Sequence, residues 1–398
     1  MATRVVVQRP FQVRARRWAL RNLFSSPWNS VLTVATLAVI GLLGFPIVRF
    51  VLVTAEWDVV QVNRQLIFLG RYPSAEEWRL WPPLIALTAT GGMAMGLWMR
   101  LGVRGYATVA GVLAFLYLVL LEGPPAQLFM IGVVLAFAGY AITRTRVLGT
   151  PAEQYVQRTV IVVFALLVPF TIVMLQIGGG VRTSLWGGLM LNVMLATVGI
   201  AVGFPVGIVL ALGRASSLPM IRWTSTAYIE LVRAAPLVAW LFMARFVLPD
   251  FLPPLQGVSD LDLVVRAMIV LAGFTGAYVA EIVRGGLQSL PRGQQEAAHA
   301  IGLGTLQTTW LIVLPQALRA VIPALVGQFI SLWKDTTLVF ALGLTDLLGA
   351  GKATLAQIDF IGRDKEIFLF IGLMFWAVSF GMSRLSQRVE RQLGVGER

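Results

Sequence analysis

The chain has no cysteine and one histidine, His299. Disulfide and thiol chemistry are therefore excluded. So is any Ser/His/Asp or Cys/His set, because the lone histidine lies in a polar interval with no catalytic neighbours. No cluster of metal-ligating residues is visible, and no bound metal is expected. Charge is also scarce. Only 13% of the 398 residues are Asp, Glu, Lys or Arg, while 57% are hydrophobic and the mean hydropathy is +0.79. A soluble domain cannot hide that much apolar surface from water. Acidic residues are the scarcer sign, 19 against 32 basic, for a net charge of +13. Such a surplus can serve nucleic acid. In so apolar a chain it is better explained by topology, since arginine and lysine gather in loops that stay in the cytoplasm. No nucleic-acid partner is expected.

A phosphate-binding loop is lacking too. Gly349 to Thr354 reads GAGKAT. However, the first-glycine position of a P-loop falls on Leu347 or Asp346, and Ala353 stands where the magnesium-binding hydroxyl belongs. These glycines are expected to mark an outer loop. No nucleotide or other cofactor is expected on this chain.

What is present are uncharged runs long enough to cross a bilayer as helices, most clearly Thr159–Val181 and Gly123–Thr143. The expected fold is an all-α polytopic membrane protein, with the lipid bilayer as its surroundings. The pattern predicts about ten transmembrane helices, near 31–48, 83–99, 106–121, 126–142, 159–177, 191–212, 226–248, 266–283, 321–341 and 367–383. An even number puts both termini on one side. The bias of arginine and lysine places that side in the cytoplasm.

The organisation expected is a basic cytoplasmic tail at 1–30, an accessory N-terminal transmembrane bundle at 31–180, a core at 181–390 and a cytoplasmic tail at 391–398. The first tail holds six arginines but no convincing cleavage site, so it is read as uncleaved rather than as a signal peptide. Arg49 to Trp81 is a mixed-charge outer loop whose Trp57, Trp78 and Trp81 suit an interfacial aromatic belt. In the core, Gly199, Gly203, Gly207 and Ala211 recur every four residues. They line one helix face, for packing in the bundle or for dimerisation.

Charges at membrane depth are costly and mark pathways or pairs. Glu230 and Arg233 are three apart, as are Glu281 and Arg284, so each couple can pair on its own helix. Both couples are expected near cytoplasmic span ends. Lys334 and Asp335, with Thr336 and Thr337 beside them, lie roughly 20 Å along the helix from Arg319 at 1.5 Å per residue. Two readings stand for them. They form a local ion pair that shapes the span end, or they meet the carboxylate and ammonium groups of a zwitterion in a translocation pathway. Glu281 is a further pathway candidate.

Between the last core spans lies Glu296–Pro315, EAAHAIGLGTLQTTWLIVLP. It predicts a short helix over about 294–301, with Pro291 near its first turn and Gly302 and Gly304 ending it. A second short helix is expected to follow, capped by Thr305, with Trp310, Leu311 and Leu314 on its apolar face. Two short helices around a glycine turn between spans make a docking element, not a catalytic site.

Glu296-Ala297-Ala298, three residues, Gly302, nine residues, Ile312, one residue and Leu314-Pro315 resembles in full the EAA loop of ABC importer permeases. The flanks YVAEIVRGG at Tyr278–Gly286, PRGQQ at Pro291–Gln295 and ISLWKDTTL at Ile330–Leu338 are similar to the polar and general L-amino-acid (histidine/glutamine) branch. The resemblance covers about 184–392. It implies a C-terminal five-helix ABC importer permease core, with a cytoplasmic coupling loop at about 285–316. It implies a transport subunit, not an enzyme, that moves polar or general L-amino acids across a bacterial inner membrane. Implied partners are an ABC ATPase subunit that carries ATP and magnesium, a companion permease in a heterodimer, and a periplasmic amino-acid-binding protein. Ala297, Ala298 and Ala300 would let the loop sit close to the ATPase, Gly302 would aim it, and Glu296 would cap or pair locally. Alternative readings are an ABC permease for another small polar solute and an ATP-independent secondary transporter. The second would be expected to carry inverted repeats, and the two halves here show none.

Overall fold

A computed structural model describes residues 18–98, 124–251 and 262–392. Among these residues there is no strand, only two isolated bridges, Gly70 with Trp186 and Gly188 with Asp346. Eight described helices are long and apolar enough to cross a membrane, or nine if one bent pair counts as a single span. The span expected at 106–121 lies outside the described residues, as do the arginine-rich start of the N-terminal tail and most of the acidic outer loop. The chain divides at Trp57/Asp58 into two compact units, so the boundary expected near 180 falls inside the second.

The first unit is organised by α1, Pro27–Arg49. Ser26 caps it, accepting from the Asn29 N–H at 3.1 Å, and Pro27 occupies the first turn, where its missing N–H costs nothing. A widened turn over Phe50–Thr54 ends it, and the Trp57 indole donates to the Val51 carbonyl at 3.1 Å.

The second unit holds α2 (Trp81–Trp98), α3 (Pro124–Ile142), α4 (Ala152–Gln176), α5 (Gly188–Arg214) and α6 (Pro219–Ala234). They are followed by α7 (Leu237–Phe242), α8 (Leu263–Ser289), α9 (Gly293–Ala300), α10 (Leu314–Asp335), α11 (Leu347–Leu355) and α12 (Asp364–Gln392). Helices α5 and α8 form the most extensive pair. Their seam is the small-residue face: Gly199, Gly203, Gly207 and Ala211 are all buried. A Cβ on Gly207 would lie 2.5 Å from Val279 Cγ1 and 2.8 Å from the Gly276 carbonyl oxygen, so only glycine admits this approach. Of the two uses expected for the face, it serves packing within the chain. Leu191, Leu195, Leu241, Leu271 and Leu332 continue the same core.

Three expectations are corrected. The span expected at 226–248 is broken, because α6 and the stretch from Leu237 to Val247 meet at 101°. Pro236 is the cause: it disfavours the helical region for Ala235, which is extended at φ −111° and ψ 148°. The stretch GAGKAT is not a loop but most of α11. Asp346 caps this helix, accepting from the Gly349 N–H at 2.9 Å, and Gly351 packs against Ile367 and Ile371 of α12. Small residues there serve helix contact rather than a turn.

The third concerns the loop before α2. Trp78 is half exposed, as an interfacial residue would be. But residues 58–80 fold onto the core: Val59, Val60, Ile67 and Tyr72 are buried, and the Phe68 and Phe370 rings meet edge to face at 6.2 Å. The Gln357 amide donates to Asn63 Oδ1 at 2.8 Å. Arg79 is buried, paired with Glu76 at 2.7 Å, and also donates to the Ile177 carbonyl.

Candidate functional site

Helix α9 ends as its sequence predicts, two residues past Ala300 at Gly302, whose φ is +85°. The Gly302 N–H donates to the His299 carbonyl at 2.9 Å and the Leu303 N–H to the Ala298 carbonyl at 3.1 Å. These two bonds form a Schellman motif, which needs a left-handed residue at the position glycine fills. The following helix differs from expectation. Its cap is Gly304, not Thr305: Gln307 reaches back with Oε1 to accept the Gly304 N–H at 3.1 Å. Nor is it short. It runs without interruption from Thr305 to Leu342, with one widened turn over Thr308–Val313, so the turn at Gly302 feeds directly into a span.

Glu296, Ala297, Ala300 and Gly302 are exposed, with Ile301, Leu306, Trp310 and Leu311 forming an exposed apolar surface around the turn. The Glu296 carboxylate stands in the first turn of α9, where the helix dipole favours it, and it has no side-chain partner among the described residues. Ala298 does not join the exposed alanines. It is buried, with α9 packed on Thr308–Val313. Ile312 is half-buried and Pro315 exposed, while Leu314 is buried in a cluster with Ala211, Ile229 and Val283. A bond from Gln316 Nε2 to Gln294 Oε1 at 3.1 Å ties the start of α9 to α10. The loop is thus a built element, packed on the start of the span after it and bonded to it through Gln294 and Gln316.

The charges of the core assemble differently from their spacing. Glu281 and Arg284 pair as expected, at 2.9 Å. Glu230 and Arg233 do not pair with each other. Glu230 pairs with Arg214 at 2.9 Å, while Arg233 reaches Glu281 at 3.5 Å and lies over the Tyr278 ring. Arg214 also binds Glu281, at 2.6 Å. Arg214 went unassigned in the sequence. Its signal was there: it lies three residues beyond Ala211, at the end of the small-residue face.

The pathway candidates are not brought to one site. Glu281 belongs to the arginine cluster. Thr336 is fully buried and accepts from Asn192 Nδ2 at 2.9 Å while donating to the Trp333 carbonyl at 2.7 Å. Asn192 also donates to Asp346 Oδ2 at 3.3 Å and accepts the Leu347 N–H at 2.8 Å. This buried knot joins α5, α10 and α11. Burial raises the Asp346 carboxyl above the usual carboxylate range, against the opposing pull of the Gly349 N–H and Asn192. Lys334 is exposed and Asp335 half-buried, and among the described residues the two form no ion pair. The local pairing expected of them is not made.

Residues 203–395 match the family described as binding-protein-dependent transport system inner membrane component. The chain is 33% identical over 403 residues to the inner membrane amino-acid ABC transporter permease protein YhdY of Escherichia coli strain K12, covering 96% of this chain and 94% of that protein. It is 34% identical over 420 residues, with the same coverage, to the glutamate/glutamine/aspartate/asparagine transport system permease protein BztC of Rhodobacter capsulatus. The glutamate/aspartate import permease protein GltK of Escherichia coli O6:H1 is 36% identical over 208 residues, 52% of this chain and 91% of that protein. Two of these relatives therefore share the N-terminal spans, and the third matches about half of the chain. With a relative this similar along almost its whole length, the chain belongs to the inner-membrane permease family of binding-protein-dependent ABC transporters.

Proposed function

We propose that the chain is the permease subunit of an ABC importer for polar or general L-amino acids. The single observation that carries this reading is the exposed α9–Gly302 turn, which bears the full EAA spacing and continues into spans on both sides. The relatives named for amino-acid transport, aligned over nearly the whole chain, support the substrate class. The partners are an ATPase subunit that holds ATP and magnesium, a companion permease in a heterodimer, and a periplasmic amino-acid-binding protein. Both termini lie in the cytoplasm.

In the mechanism that follows, closure of the ATPase dimer displaces α9 in its docking groove. Glu296, Ala297 and Gly302 present the face and the turn, while Ile312, Leu314 and Pro315 carry the displacement into α10. Because α9 is joined to α8 on one side and fixed to α10 by Gln294 and Gln316 on the other, both spans shift as rigid bodies. Outward and inward access then alternate. Lys334 and Asp335 meet the charged groups of the substrate, while Thr336, buried and bonded to Asn192, holds the span end in place.

The test is uptake of labelled glutamate, glutamine and histidine into proteoliposomes holding this chain with its companion permease, ATPase and binding protein. Uptake is expected to need ATP, the ATPase and the binding protein. Uptake driven by an ion gradient without the ATPase would make the chain a secondary transporter instead.

A further inference from the structure

Glu281 is a single carboxylate shared by three guanidinium groups from three helices. Arg214 of α5 binds it at 2.6 Å, Arg284 of its own helix at 2.9 Å and Arg233 of α6 at 3.5 Å. Arg214 in turn holds Glu230 of α6 at 2.9 Å. The side chains of Glu281 and Arg214 are only 17% and 25% exposed. A pair so shielded is screened less by salt than a surface pair, and removing either partner leaves the other charge without its counter-ion. Three arginines face two glutamates, and the surplus cation, Arg233, rests over the Tyr278 ring at 5.3 Å.

The remainder of the α5–α8 seam is glycine and apolar contact. Such contact sets distance but lacks the directional term that fixes register. The arginine–glutamate group supplies that term at one place, and the place is telling. Glu281 lies about 12 Å along α8 from its end at Ser289, at 1.5 Å per residue. The docking helix begins at Gly293. Beside the group, Ala211, Ile229, Val283 and Leu314 share one apolar cluster, so α5, α6, α8 and α10 converge there.

We infer that Arg214 and Glu281 are a positioning pair that makes α5, α6 and α8 move as one body when α9 is displaced. The inference rests on the importer reading. Without the pair, α8 can shift along its glycine seam and the displacement is lost before it reaches the rest of the bundle.

The experiment uses the full complex with Glu281→Gln and Arg214→Gln. Three quantities are measured: ATPase retained on the permease, stimulation of ATP hydrolysis by the loaded binding protein, and uptake. Both variants are expected to keep the ATPase yet lose most of the stimulation, with uptake falling roughly tenfold or more, in the usual range of coupling effects. The double variant should lose less than the sum of the two single losses, because both remove the Arg214–Glu281 bridge. Wild-type stimulation in variants that assemble would overturn the inference. Should both glutamine variants fail to assemble, Arg214→Lys decides. One ammonium cannot reproduce the fork that spans Glu230 and Glu281, so partial loss of stimulation is expected and full retention refutes the pair. If the wild-type complex itself shows no stimulation, the importer reading fails rather than this one.

Discussion

Helices α4 and α8 lie in the same compact unit and would both be drawn as membrane spans, but they are built for different neighbours. The α4 span is the more apolar, with a mean hydropathy of 2.7 against 1.9 for α8 in their best windows. Yet only 11% of that window is buried within the chain in α4, against 61% in α8. The more hydrophobic helix is the less buried one. In a bilayer, lipid is as apolar as a core, so hydrophobicity says that a helix crosses and nothing about what it packs on. Packing partners are specified by the residues that hydropathy penalises or ignores: Gly273, Gly276 and Gly286 along α8, and Glu281 and Arg284 near its end. Helix α4 has no glycine, confines its charges, Glu153 and Arg158, to its first two turns, and presents isoleucine, valine and leucine to its surroundings.

The comparison can be broken by putting the same side chain on each type of surface. Gly207→Leu should have the largest effect. Its Cβ alone would overlap Val279 and the Gly276 carbonyl, so a loss of about 3 kcal/mol or more in unfolding stability is expected, read as a fall in the thermal transition of detergent-solubilised protein. Asp346→Ala should come next. It strips the cap from α11 and leaves Asn192 a partner short in a buried knot, for a loss of about 2 kcal/mol in the same assay. Val162→Leu on α4, at a residue 54% exposed, should change stability by no more than about 0.5 kcal/mol. If Gly207→Leu proved as mild as Val162→Leu, the seam would not depend on close approach and the distinction between the two helices would collapse.

Much of this was legible in the sequence, for local reasons. The four-residue recurrence from Gly199 to Ala211 follows the helix period, so the buried face could be read directly. The turn after α9 was legible because a Schellman motif needs only glycine at one place, Gly302. The break at Pro236 was signalled by the proline itself but was overridden by the apolar run on either side. Other features depend on partners far along the chain. Folding of 58–80 onto the core rests on contacts such as Asn63 with Gln357, 294 positions apart. Gly349 and Gly351 suggested a loop because glycine pairs usually do. Only the capping Asp346 and the isoleucines of α12 explain why they are helical. The arginine cluster was half legible. Spacing of three revealed Glu281 with Arg284, but Arg214 gains its meaning only once α5 lies on α8.

The central claim is that the loop around α9 is where the chain meets its ATPase. The most direct measurement is retention of a co-expressed ATPase subunit on solubilised permease, comparing wild type with Gly302→Asp and Glu296→Lys in protein shown to insert. Gly302→Asp places a side chain at a φ of +85° and adds charge beside Ile301, while Glu296→Lys reverses the exposed charge in the first turn of α9. The account predicts that wild type holds the ATPase and both variants release it, with the membrane-spanning fold intact. Equal retention by wild type and both variants, or no retention by wild type where another permease of the family holds its ATPase, would contradict it.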